Sequence, residues 1–212
     1  MSPSTAGSQP RRSRADGERS RQTILRAAAD LATVDGLEGI SIGNLAAHIG
    51  MSKSGLYAHF GSKEELQLAT VDAARAIFDT EVVEPAQTIA DPLERLQGLC
   101  DRFLSYVERR VFPGGCFFAS TAAEFGPHPG PVRDKVASVQ RGWTELLEQL
   151  IREAQTAGSF DATEDASQLA FELHAYLLMG NTAFVLYNNP AHLQQARAAI
   201  GDRLSRVRRN SN

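Results

Sequence analysis

The stretch Ile42–Phe60, IGNLAAHIGMSKSGLYAHF, constrains this chain more than any other. It reads as two short helices, Ile42–Ile49 and Lys53–Phe60, joined by the turn Gly50-Met51-Ser52. Helices this short bury little surface alone, so they must cross closely, over a small side chain. Ala46 supplies that side chain, and Gly50 supplies the left-handed backbone that ends the first helix without strain. Leu45, Ile49, Met51 and Leu56 are the inward-facing apolar positions. Ala-x-x-x-Gly flanked by apolar residues is the spacing of a helix-turn-helix, although a plain αα-hairpin shares much of it. In a helix-turn-helix the second helix sets its N-terminal residues against base edges in the major groove.

The rest of the chain also reads as helix, and no run alternates with the period of a strand. A first helix is expected over Glu18–Asp35, ended by Gly36. Ser41 is placed to cap the second helix, and Ser52 or Ser54 the third. Ser62-Lys63-Glu64-Glu65 matches a capping box for a fourth helix, which Glu84-Pro85 stops. Asp91-Pro92 opens a helix to about Arg110, and a short apolar helix covers Cys116–Phe125. Long helices follow over Val132–Ala157, Thr163–Tyr187 and Ala191–Val207. The expected fold class is all-α, with about nine helices and three divisions. These are a disordered basic arm over 1–17, a helix-turn-helix unit over 18–64 and a helical bundle over 65–212.

Charge adds to this picture only when read by position. The chain of 212 residues carries a net charge of −3, which by itself argues against a nucleic-acid partner. Yet Arg11, Arg12, Arg14, Arg19, Arg21 and Arg26 face only Asp16 and Glu18 within residues 1–26. From Ser41 to Lys63 there are two lysines, two histidines and no acid. A net-acidic chain can therefore present one locally positive face, and phosphates respond to local potential. The Arg-rich arm has the chemistry to enter a minor groove, or simply to solubilise the chain. No secretory leader and no membrane-length apolar run is read in the sequence, so a cytoplasmic location is expected. Cys100 and Cys116 are too few for a disulfide framework.

The helix-turn-helix and its flanks resemble the TetR family of one-component transcriptional repressors. The resemblance rests on Gly39-Ile40-Ser41-Ile42, Leu45-Ala46, Gly50-Met51-Ser52, Leu56-Tyr57-Ala58-His59-Phe60 and Ser62-Lys63-Glu64-Glu65-Leu66. It implies that Tyr57 and His59 meet phosphate or base edges and that Lys63 holds a phosphate. It further implies that Lys53, Ser54 and Gly55 face bases, that Ser41 takes a phosphate, and that Ser52 belongs to the same DNA-binding set. Gly43 departs from the pattern, standing where many relatives carry a polar or basic side chain.

The resemblance also implies an inducer pocket within the helical remainder, for which Phe103, Phe118, Trp143 and His174 are the candidate lining. One helix-turn-helix contacts too little DNA for high specificity, so a homodimer on a palindromic double-stranded operator is expected. Its candidate interface is Leu169, Leu173, Leu177 and Ala183 with Ile200 of the last helix. No P-loop, HExxH or nucleophile elbow is present, so no catalytic residue, metal or cofactor is expected. The reading is a ligand-responsive repressor, released from its operator by a small-molecule inducer. The alternative is a helical small-molecule binder or enzyme whose N-terminal unit is only structural.

Overall fold

A computed structural model describes residues 9–208, with side chains from residue 16 onward. Nine helices make up the described residues: α1 Gln9–Asp35, α2 Ile42–His48, α3 Lys53–His59, α4 Lys63–Phe78, α5 Pro92–Glu108, α6 Phe117–Phe125, α7 Pro131–Thr156, α8 Ala166–Tyr187 and α9 Ala191–Val207. The only β pairing among them is an isolated bridge between Phe160 and Arg208. The all-α expectation holds.

The helix starts are where local chemistry puts them. Ser41 accepts from the Asn44 N–H at 3.1 Å, while its own N–H donates to Asn44 Oδ1, closing a capping box. Ser52, rather than Ser54, caps α3 through the Gly55 N–H. Ser62 caps α4 through the Glu65 N–H, but the Glu65 carboxylate reaches back to the N–H of Gly61, one residue further than a capping box requires. Asp91 accepts from Glu94 at the head of α5, and Asp165 caps α8. Gly36 and Gly50 take φ of +82° and +68°, the left-handed values that end α1 and α2.

Three expectations need correction. The basic arm is helical from Gln9, through an arginine-rich stretch that carries no apolar stripe. Residues 1–8 lie outside the described part, as do the side chains of Arg11, Arg12 and Arg14. The fourth helix is not stopped at Glu84-Pro85 either. It widens into a π-helical turn at Asp79–Val83 and continues as Glu84–Gln87. Pro85 falls directly after the π-helical turn, in the first turn of that segment. Finally, α8 is by length and composition apolar enough to cross a membrane, with mean hydropathy 1.3. It is apolar on two sides: one packs against α5, α7 and α9, and the other faces outward.

α1 packs on α4 and α6, and α7 packs on α4, α5, α6 and α8. Phe78, the last residue of α4, stands at the centre of the aromatic core. Its ring is edge-on to Trp143 at 5.2 Å, Tyr106 at 5.6 Å and Phe118 at 6.1 Å. One helix thus runs from Lys63 beside the helix-turn-helix to the middle of the bundle. The boundary expected at 64/65 falls within its first turn.

Candidate DNA-binding face and sensor chamber

The crossing of α2 and α3 is built as the sequence demanded: Ala46, Leu45 and Leu56 are buried, and Ile49 and Met51 are partly buried against the core. Burying that side leaves Ser41, Ser52, Lys53, Ser54 and Tyr57 exposed, Tyr57 at 56%, with Gly55 and His59 half-buried. Gly43, the departure from the family pattern, lies beneath Lys53: a Cβ there would sit 3.2 Å from Lys53 Cε. The small residue makes room for the lysine stem to cross α2. A side chain at Gly55 would press on Ser52 Oγ at 3.1 Å, so this glycine protects the cap of α3.

The positive charge of this region is partly spent inside the protein. Arg21 donates to the His59 carbonyl at 2.7 Å and stacks over Phe60 at 4.4 Å, fastening α1 to the end of α3. Arg26 donates to the Val111 carbonyl and covers the Phe112 ring, fastening α1 to the loop after α5. Arg19 pairs with Asp16. Lys63, expected on a phosphate, donates to the Glu38 carbonyl at 2.6 Å and the Glu38 carboxylate at 2.9 Å. Hydrogen bonds from Lys63 and Gln67 hold the Glu38 carboxyl below its ordinary pKa. Lys53 is the lysine on the outer surface of the recognition helix.

Glu38 belongs to a larger arrangement that the sequence did not reveal. The two carboxylate oxygens of Glu124, on α6, accept from the N–H groups of Leu37 at 2.8 Å and Glu38 at 2.9 Å. Gln67 of α4 donates to the Leu37 carbonyl and to the Glu38 carboxylate. The loop leading into α2 is therefore gripped by α4 from one side and α6 from the other.

The candidate pocket residues Phe103, Phe118, Trp143 and His174 do line one chamber. Phe78, Cys116, Ala119, Val139, Gln140 and Leu178 complete it, and nothing in the sequence singled these out. Phe78 escapes notice because it closes a helix that starts beside the helix-turn-helix, well ahead of the other chamber rings in the chain. Free volume in the chamber is about 20 Å³, room for about one water. Burial pushes the Cys116 thiol up to about 11 and the Cys100 thiol up to about 12, so both are protonated, inert thiols at neutral pH.

The residues expected at a dimer interface lie inside the chain. Leu169, Leu173, Leu177, Ala183 and Ile200 are buried within the chain, the first three completely. The outward face of α8 carries Phe171, Leu178, Met179 and Leu186 instead, from 40% to 69% exposed. Helical spacing identifies α8 as apolar, but both its faces are apolar, and the expected interface falls on the inner one.

This pairing of an exposed recognition helix with a helical sensor-like bundle defines a helix-turn-helix regulator. The family model for bacterial regulatory proteins of the tetR family matches residues 24–70, and that for the tetracyclin repressor-like C-terminal domain matches residues 92–200. The chain belongs to the TetR family of DNA-binding transcriptional regulators. It is 25% identical over 192 residues to the HTH-type transcriptional regulator LmrA of Bacillus subtilis (strain 168), covering 88% of this chain and 97% of that one. A TetR transcriptional regulator from Chloroflexus aurantiacus J-10-FL superposes with a TM-score of 0.82 at 26% identity, covering 92% and 99% of the two chains. AibR, solved with isovaleryl coenzyme A and operator DNA, superposes with a TM-score of 0.69 at 25% identity, covering 86% and 96%.

Proposed function

We propose that the chain is a homodimeric repressor that leaves a palindromic operator when a small molecule enters its bundle. One observation carries the ligand response: α6 contributes Phe118 and Ala119 to the chamber wall and, farther along, Glu124 to the loop that enters α2. The chamber is nearly filled, so any occupant larger than water must move a wall. Movement of α6 pulls on two backbone hydrogen bonds ahead of the helix-turn-helix. Such a ligand lowers DNA affinity by the ratio of its affinities for the two conformers. The homologue solved with both an acyl-coenzyme A and an operator supports a coupled ligand and DNA cycle.

Dimerisation follows from the exposed face of α8. A row of large apolar side chains on one outer helix marks an interaction surface, and a second copy offers the same row. Pairing through it would set two recognition helices about 34–36 Å apart, one duplex turn. On this reading Ser41, Ser52, Lys53, Ser54, Gly55, Tyr57 and His59 contact DNA, with Lys63 joining once it leaves Glu38. Gel shifts on the intergenic DNA upstream of its own gene test the proposal. The expected result is a salt-sensitive complex with two subunits per site. Absence of any shift at low salt overturns it.

A further inference from the structure

Trp143 is the one tryptophan of the chain, and it stands in the chamber wall 7% exposed. Its indole N–H is buried and has no hydrogen-bond partner among the described residues. A buried donor left unpaired is costly, and Trp rings in protein interiors ordinarily find an acceptor. Gln140, also in the chamber wall, donates its Nε2 to the Phe118 carbonyl at 3.1 Å, and its Oε1 does not receive the indole N–H. No Asp, Glu, Lys or Arg lines the chamber. His174, the one titratable imidazole there, has its pKa pushed down by burial, which keeps it neutral. Two phenylalanine rings pack on the indole, Phe78 edge-on at 5.2 Å and Phe103 tilted by 31° at 5.9 Å, and Phe118 packs edge-on against Phe78.

Resting on the sensor reading above, we infer that the chamber takes an uncharged, largely aromatic molecule with one hydrogen-bond acceptor, which receives the N–H of Trp143. The aromatic walls reward displacement of water by flat apolar surface. An anion would find no cation here, and a cation no carboxylate, so either leaves its hydration shell uncompensated. A cation would gain from the ring faces, but it cannot accept the indole N–H. The acceptor requirement therefore separates a neutral ligand from a quaternary ammonium.

Four probes sharing one ring system test this on the full chain: 2-acetylnaphthalene, 2-ethylnaphthalene, 2-naphthoate and (2-naphthylmethyl)trimethylammonium. Affinities are read by calorimetry, and the emission of Trp143 reports whether a probe sits beside it. The ketone is expected to bind about 5–10-fold more tightly than the ethyl compound, the range of one neutral hydrogen bond. Both ions are expected to bind at least tenfold more weakly than the ketone. In Trp143→Phe the ketone should lose its advantage while the ethyl compound keeps its affinity within about threefold. A charged probe equal to the ketone, an unchanged ratio in the variant, or no binding by any probe overturns the inference. If the variant fails to fold, the wild-type order of the four probes still decides. The sensor reading is judged separately: a ketone that binds beside Trp143 without releasing DNA sinks that reading and leaves the chamber chemistry standing. An effector that releases DNA equally from wild type and Trp143→Phe does the reverse.

Discussion

Glu38 illustrates how much one side chain can decide. It lies beside the recognition unit, ties down Lys63 and Gln67, and keeps one cation from the surface where a phosphate would sit. Glu38→Gln should leave the fold intact, remove the ion pair while leaving the backbone bond that holds Lys63, and raise affinity for any duplex while steepening its dependence on salt. Anisotropy titrations across a salt series check this. Gly50→Ala has no steric obstacle, since nothing lies within 4 Å of where its methyl would sit, but it places alanine at φ +68°. The cost should be roughly 1–2 kcal/mol, read from a urea midpoint. The cysteines bear on pH. Their folded-state pKa values lie above the ordinary thiol value of 9.0, so the fold favours the protonated thiols. Their contribution to stability is full below pH 9 and is lost as pH rises towards 11–12. The urea midpoint should fall above pH 9, and a Cys100→Ala, Cys116→Ala double variant should show a shallower fall.

At the scale of elements, α8 carries the sharpest contrast. Its inner face, Leu169, Leu173 and Leu177, is wholly buried, and its outer face presents Phe171 and Leu186 at 66% and 69% exposure. Leu173→Asp should therefore destabilise the chain by several kcal/mol (about 3–5), because a charge enters the core without a partner. Phe171→Asp with Leu186→Asp should retain full helicity by circular dichroism and convert a dimer to a monomer in light scattering. Neither residue lines the chamber, so ligand affinity should survive in the double variant. α9 is fastened to α8 differently: Arg203 pairs with Glu164 and Glu172, so an ion-pair cluster joins the apolar contact.

Across the whole molecule, the helix-turn-helix and the bundle are joined by elements that belong to both halves. α4 ends in the aromatic core and begins beside Glu38, while α6 begins at the chamber and presents Glu124 to Leu37 and Glu38. Glu124→Ala should keep both the bundle and the chamber yet uncouple them: ligand affinity stays, while the fold-change in DNA affinity caused by ligand shrinks towards one. Parallel DNA titrations with and without ligand measure that coupling.

The helix-turn-helix, the caps at Ser41 and Ser62, a serine cap at position 52 or 54, and the breaks at Gly36 and Gly50 were legible in the sequence because each depends on residues three or four apart. The chamber was half legible. Phe103, Phe118, Trp143 and His174 were named on the strength of the family resemblance, but Phe78 and Leu178 belong to helices whose packing partners lie far away in the chain. Charge was legible only as a sum over position: nothing local says that Arg21 and Arg26 turn inward to Phe60 and Phe112.

What the sequence by itself determined is therefore the short-range grammar: an all-α chain, a tight helix crossing at Ala46 and the family to which these motifs belong. Only the tertiary structure decided which face of α8 is buried, which cations remain outside, and that Glu124 grips the loop ahead of α2. The physical reason is range. Caps and helical periods are settled within one or two turns. A helix apolar on both sides, or a carboxylate serving backbone donors 87 residues away, is settled only when the whole core closes.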